Sequence, residues 1–415
     1  MTEPTPRPGD VRMRGFAHRS TVEQALAWID ARTADALAQE TVSLREAAGR
    51  VLAADVVSRV DVPSFARAMM DGYAVRATDT SGASPYNRLP LQVTGQVLAG
   101  EASTDCVTPG AAVRIMTGAP MPPGADAVLP VERVEVEGSR IFALDELSPG
   151  KHVGRVGEDV ARHATVLAAG RRLRPQDLGV LSSIGAGEVA VIRRPRVRIV
   201  VTGNELLPPG STAFGAQIVD ANSPMLQALV ERDGGVSIHP GIVPDRPEAI
   251  LAALRDEAEV ILVSGGSSVG QEDHAPRLVD EHGDLAIHGV AMRPSSPSGM
   301  GRIEGRLVFL LPGNPVSCLC AYDFFAGRAI RALGGRPRDW PYRRVMLPLR
   351  RKLVSQVGRV DYARVKLVEG EIEPLAIGGA SVLSSTTRAD GFVIVPNDSE
   401  GFPPGREVEV LMYGS

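Results

Sequence analysis

The segment from Arg196 to Leu333 constrains this chain most, because apolar runs of strand length alternate there with helical patterns. "RVRIVVTG" reads as a strand and "NSPMLQALVERDGG" as a helix, with Ser223 as its cap and Pro224 at its first position. "VSIHPGIVP" is the next strand, "DRPEAILAALRDEA" a helix capped by Asp245, and "VILVSGG" a third strand. "LAIHGVAMRP" and "RLVFLLPG" follow, and Asn314 with Pro315 opens the helix "NPVSCLCAYDFFAGRAIRAL". Such alternation predicts a doubly wound parallel sheet, and sheets of that kind place ligands at the carboxyl ends of their strands.

That unit takes residues 195–338. Before it, Ser20 and Glu23 have capping-box spacing ahead of an apolar stripe of Val22, Ala25, Leu26 and Ile29, and "SLREAAGRVLA" reads as a second helix. Across residues 55–160 the texture changes to short alternating runs split by glycine and proline, which predicts a β-rich insert. "RRLRPQDLGVLSSIGAGEVAVIRRP" returns to helix, so residues 10–54 and 161–194 are expected to form one helical linker domain that the insert interrupts. Residues 339–415, ending in "GREVEVLMY", read as a small, barrel-like β domain.

A formal net charge of −4 argues against nucleic acid as the main partner. No apolar run reaches the length of about 18 residues that a membrane helix needs. The N-terminal "MTEPTPRPGDVRMRG" lacks the apolar core of a secretion signal, and the cysteines, Cys106, Cys318 and Cys320, are too few for a disulfide framework. A cytoplasmic location is therefore expected. Cys318 and Cys320 lie two apart in the expected helix and face different sides, which disfavours a metal pair.

Three loops leave one edge of the sheet if its strands are parallel: "TGNELLPPG" from Thr202 and Gly203, "SGGSSVGQED" from Ser264, and "LPGNP" through Gly313. Gly265 and Gly266 let backbone N–H groups approach an oxyanion. Ser264, Ser267 and Ser268 add hydroxyl donors, and the helix at Asn314 adds its N-terminus. The same spacing also suits a plain strand-to-helix turn. Glu205, Glu272 and Asp273 offer hard oxygen ligands, and carboxylates beside an anion seat make chemical sense with a cation between them; Mg²⁺ holding a phosphate is the simplest case.

The insert carries a second set. "AMMDGYAV" places Asp71 among apolar residues, where desolvation would raise its pKa unless a cation offset it. Thr117 lies in a glycine-proline turn, and "GRVGEDV" adds Glu158 and Asp159. Arg293, Arg359, Arg364 and Arg388 are the candidate cations for an anionic ligand. Read singly, each carboxylate fits a helix cap or a solvated loop equally well, and each arginine fits a solvated surface.

"VDVPSFARAMMDGYAVR", "VRIMTGAPMPPGADAV", "GEDV", "VTGNEL", "ILVSGGSSVG" and "LPGNPVS" occur here in the order and approximate spacing of the molybdopterin molybdenumtransferases, a family also represented by the C-terminal domain of gephyrin. The resemblance covers the chain from about Ser20 to Met412. It implies an elongated homodimer of four-domain subunits, in which residues 195–338 form the molybdopterin-binding-like domain. The implied reaction inserts molybdate into adenylylated molybdopterin with Mg²⁺ or a similar divalent ion and releases AMP. By motif, Asp71, Thr117, Glu158, Asp159, Glu205, Asp245 and Asp273 match active-site positions, with Glu205, Asp245, Asp273, Glu158 and Asp159 as metal candidates. Pro312, Pro315 and Ser384 match substrate-side positions, beside Arg293. The active site would be shared between subunits, and the upstream molybdopterin adenylyltransferase is a candidate partner.

Two departures stand out. Many relatives have an Asp-Glu pair where this chain has Asn204 and Glu205, and lysines around a Lys-Pro-Gly-Lys-Pro run where it has Gly289, Arg293 and Ser296. Fewer cations should weaken binding of a polyanionic ligand unless other arginines compensate. Three alternatives follow: a non-catalytic scaffold like gephyrin, another phosphate-handling enzyme such as a nucleotidyltransferase, and a paralogue that prefers tungstate, which shares charge and geometry with molybdate.

Overall fold

The computed structural model describes residues 19–101, 106–265, 274–376 and 382–414, and the chain divides into two compact units. One unit holds the chain through Glu40, Gly49–Val51 and everything from Val191 onward; the other holds Thr41–Ala48 and Leu52–Ala190. Among the described residues no helix is long and apolar enough to cross a membrane.

The first unit is built on a six-stranded sheet ordered Val236–Ile238, Arg196–Val201, Val260–Ser264, Arg306–Leu311, Gly299–Ile303, Asp284–His288. Its strands read as continuous apolar runs because both faces are buried. Val197, Ile199, Val201, Leu262 and Phe309 pack on one side with the helices Val22–Arg32 and Asn222–Arg232. Val200, Ile261, Val263, Val308 and Leu310 pack on the other with Pro247–Leu254 and His274–His282. The first four strands are parallel, as the doubly wound reading requires. The last two are antiparallel, so the sheet is mixed. The expected strand "LAIHGVAMRP" is divided: Asp284–His288 stays in this sheet, whereas Met292–Arg293 joins a second one by pairing with Val360–Asp361.

That second sheet runs Met292–Arg293, Val360–Val368, Gly391–Val395, Glu407–Met412, Arg343–Pro348, and Glu371–Ala376 pairs with Val360–Val368. Tyr362 stacks on Phe392 at 4.0 Å between ring centroids, and Trp340 meets Phe324 edge-on at 5.0 Å. These rings join the β layer to the π-helical turn Tyr322–Ala326 that interrupts the helical run after Pro315.

In the second unit a six-stranded sheet runs Ala127–Pro130, Gly72–Val75, Ala111–Ile115, Leu89–Val97, Arg140–Ala143, Val134–Glu137. The short strand Arg67–Ala68 pairs with Val153–Gly154 outside it.

Several helices differ from the sequence reading in their start or their length. The first capping box is Thr21 with Gln24, one residue later than Ser20 with Glu23. Ser20 is occupied elsewhere: its N–H donates to Gly289 O and its carbonyl accepts from Ala291 N–H, at 3.0 and 2.8 Å. The second helix is a single turn, Leu44–Ala47. Ser223 is not a cap; it lies inside Asn222–Arg232, and Asp220 accepts the first two helical N–H groups, from Asn222 and Ser223, at 2.9 and 3.0 Å.

Candidate functional site

The parallel strands that end at Val201, Ser264 and Leu311 release their loops from one sheet edge, as their registered pairing requires. Thr202 follows the first strand and is buried. Its N–H donates to Ser264 O at 3.2 Å, and its hydroxyl donates to Asp245 Oδ1 at 3.1 Å. Asp245 therefore serves the sheet edge and does not cap the following helix. The N-cap position of Pro247–Leu254 is Arg246, which makes no side-chain cap bond, and Asp245 sits one residue too early for that role.

Gly265 has φ +96°, and a Cβ there would stand 2.3 Å from the Thr202 carbonyl oxygen, so glycine alone lets these two loops touch. Gly313 comes up against the same point, since a Cβ on it would lie 3.6 Å from Gly265 Cα. Glu205 folds its carboxylate back over Gly203, with oxygens 2.8 and 2.9 Å from the Cβ position that Gly203 leaves open. The loops singled out from the sequence thus converge as a bare backbone seat with Glu205 and Asp245 attached to it.

Asn222, which sequence reasoning missed, ties the seat together. It is 7% exposed, and its Nδ2 donates to Ser264 Oγ at 2.8 Å and to Gly313 O at 2.7 Å. The available signal was Asp220 two residues earlier, a spacing suited to starting a helix. Cys318 lies beneath, its Sγ 3.7 Å from Ser264 Oγ, and burial pushes its thiol up to about 12. Cys320 is buried as well.

The Pro312–Asn314 loop has a second face, on a cavity of about 540 Å³ that Arg19, Arg293, Ser296, Ser317 and Arg359 also line. Its described lining contains no acidic residue. Arg293 donates to the fully buried Asp361 through Nε at 3.1 Å and Nη2 at 2.5 Å, and Ser355 Oγ donates to the same carboxylate at 2.7 Å. Arg359 approaches Asp361 to 3.4 Å. One carboxylate thus answers two guanidinium groups, and Arg19 brings a third cation to the cavity wall. Arg19 was not identified from the sequence; the pairing of its neighbour Ser20 with Gly289 and Ala291 holds the chain there. Ser296 lines the same cavity as Arg19.

Two of the candidate arginines differ from expectation. Arg364 is fully buried within Val360–Val368, where no dissolved anion reaches it. Arg388 is exposed and donates from Nε to Ser384 O at 3.2 Å. Ser384 opens the one-turn helix Ser384–Thr387, and no hydrogen bond among the described residues joins it to the seat or the cavity. Pro315 is the first residue of the helix Pro315–Ala321.

In the second unit, Asp71 Oδ1 accepts from the Thr117 N–H and the Thr117 hydroxyl, both at 2.7 Å. Those two donors, the N–H above all, hold the Asp71 carboxyl below its ordinary range. The expected upward shift is absent because the residue is exposed: its apolar neighbours Met69 and Met70 face outward and do not enclose it. Glu158 is likewise held low, first by the Arg155 N–H at 2.8 Å and then by Arg67 Nη2 at 3.0 Å. Arg67–Ala68 connects the two acids, since the Ala68 carbonyl accepts from Gly118 N–H beside Thr117 while Arg67 holds Glu158. The Asp159 carboxylate is exposed and makes no hydrogen bond among the described residues, although its N–H donates to Val62 O.

Gly266, Ser267, Ser268, Glu272 and Asp273 lie outside the described residues. Among the described residues no group of three or more His, Cys, Asp or Glu is arranged to hold a metal ion.

Comparison with known proteins covers most of the chain. Family models match as the MoeA N-terminal region (domain I and II) at residues 20–185, a probable molybdopterin binding domain at 198–332, and the MoeA C-terminal region (domain IV) at 346–413. Molybdopterin molybdenumtransferase 2 of Mycobacterium tuberculosis is 36% identical over 384 residues, 89% of this chain and 94% of that protein. The molybdopterin molybdenumtransferase of Haemophilus influenzae is 32% identical over 383 residues, 89% of this chain and 93% of that one. The crystal structure of a molybdopterin biosynthesis MoeA protein from Pyrococcus horikosii matches with a TM-score of 0.82 at 33% identity, covering 96% of this chain and 100% of that one.

Proposed function

The chain belongs to the MoeA family, and from that premise we propose that it is a molybdopterin molybdenumtransferase of molybdenum cofactor biosynthesis, inserting molybdate into adenylylated molybdopterin with release of AMP. The observation that carries this reading is the shared wall at Pro312–Asn314. On one side of it lies a backbone seat suited to phosphate, and on the other a cavity lined by three arginines with no acid on its described lining. A ligand with two anionic ends fits such a pair of neighbouring sites.

In this reading Gly265 and Gly313 bring backbone against the adenylate phosphate, and Arg19, Arg293 and Arg359 bind the oxyanion at the cavity. Thr202 orients Asp245 through the hydroxyl bond already described. The donor set suits Mg²⁺, which is commonly held by one or two carboxylates together with substrate phosphate oxygens. Glu205 and Asp245, joined by Asp273, would hold it, and when bound it neutralises charge at the phosphate.

The protein acts as a cytoplasmic homodimer with a shared active site, the Asp71–Thr117 pair, Glu158 and Asp159 serving the site of the partner subunit, and it receives substrate from a molybdopterin adenylyltransferase. The chain then carries four domains, at 10–54 with 161–194, 55–160, 195–338 and 339–415. The test is to supply adenylylated molybdopterin and follow AMP. Release is expected only with molybdate and Mg²⁺ both present, and release that ignores molybdate or survives a chelator overturns the proposal. Tungstate in a parallel reaction measures the choice between the two oxyanions.

A further inference from the structure

We infer that Asn222 is a positioning residue whose side-chain amide sets the spacing between the two halves of the phosphate seat; the inference rests on the reading of that seat given above. The orientation of the amide follows from chemistry. Gly313 O only accepts, so the atom 2.7 Å from it must be the nitrogen, and the two N–H bonds of that nitrogen go to Gly313 O and Ser264 Oγ. The amide oxygen is buried with no partner among the described residues, so the side chain is held by its donors alone. Leaving a buried acceptor without a partner costs stability, which is tolerated where a geometric requirement outweighs it.

That requirement is visible. Gly265 touches the Thr202 carbonyl, Gly313 approaches Gly265, and Asn222 is the side chain that bonds to both the Ser264 and the Gly313 ends. Its own place is fixed by Asp220, which accepts the Asn222 N–H at 2.9 Å and also takes the Ser223 hydroxyl. Backbone N–H groups bind an oxyanion well only when they are pre-set at hydrogen-bond distance, so a crossbar of this kind acts on ligand affinity and not only on stability.

The test uses AMP as probe and the full chain, by calorimetric titration across pH 5 to 8. Asn222→Asp keeps the shape but loses the donors, because a carboxylate faces Gly313 O with nothing to give; once protonated it regains one. The expected result is AMP affinity lowered roughly tenfold or more at pH 8, with the deficit relative to wild type shrinking as pH falls. The ratio to wild type cancels the titration of AMP itself. Asn222→Ser, which also keeps one donor, should lie between the two, and it carries the test should Asn222→Asp fail to fold by circular dichroism. Variants that bind AMP as wild type does, or an Asn222→Asp deficit independent of pH, overturn the role of Asn222 alone. Wild-type protein that binds no AMP overturns the phosphate seat as well.

Discussion

Arg293 grips Asp361 through both nitrogens on one side of its guanidinium, at 3.1 and 2.5 Å, and so fastens the strand Met292–Arg293 to Val360–Val368 beside the cavity. Asp361 is fully buried, so removing its main partner leaves a charge that water does not reach. Arg293→Ala should cost stability toward the low end of the roughly 3–5 kcal/mol typical of a broken buried pair, since Ser355 and Arg359 remain. Chemical denaturation measures it. A loss under about 1 kcal/mol would mean that the pair behaves as a surface contact.

Arg19 offers the opposite case. It is exposed, and among the described residues it has no ion-pair partner, so Arg19→Ala should leave the denaturation midpoint unchanged. If the cavity binds the oxyanion, the KM for molybdate should rise roughly ten- to a hundredfold, the value of one charge-assisted hydrogen bond. An unchanged KM removes Arg19 from the site and leaves the Gly289 and Ser296 departures without compensation.

The Asp71–Thr117 pair fixes the direction of a pH effect. A carboxyl whose folded pKa is depressed keeps its interactions above the ordinary value of about 3.9 and loses them only as pH falls through the lower folded pKa. Asp71 should therefore contribute no acid limb to activity between pH 5 and 8. Thr117→Val removes the hydroxyl donor and keeps the N–H, the larger of the two causes, so the Asp71 pKa should rise part of the way to its ordinary value and remain below it. Carboxyl-detected NMR titration reads this directly, and a wild-type value above the ordinary range would contradict the geometry.

What the sequence made legible was local. Val260–Val263 announces a strand buried on both faces because four consecutive apolar residues alternate between two cores. The glycine-serine texture after it announces a loop that carries close backbone contacts, and Gly265 makes them. What stayed hidden depends on residues far apart in the chain. Thr202 and Asp245 are 43 positions apart, and Asn222 and Gly313 are 91 apart, so no window of sequence contains either pair. Asp245 looked complete as a helix cap because nothing nearby revealed that the helix begins one residue later. Arg364 looked like a ligand arginine because a strand pattern gives no measure of how deeply a β domain buries its charges.

The antiparallel strand Gly299–Ile303 escaped notice for a related reason, and it yields a paired test. Its glycines lower strand propensity, yet Gly301 is required where it stands. A Cβ there would lie 2.4 Å from Asp284 O and 2.7 Å from Val279 Cγ1, against a neighbouring strand on one side and the helix His274–His282 on the other. Backbone does not yield as the tip of a side chain does, so Gly301→Ala should destabilise by about 1–3 kcal/mol. Gly179 presents the reverse situation: it is an exposed residue inside the helix Pro175–Ser183, and a Cβ on it meets nothing within 4 Å. Gly179→Ala should stabilise by about 0.5–1 kcal/mol through the lower entropy of the unfolded chain. Calorimetric melting of the two variants should therefore shift in opposite directions. A rise in both would mean that the close approach at Gly301 relaxes at no cost, and a fall in both that the open space at Gly179 is not usable.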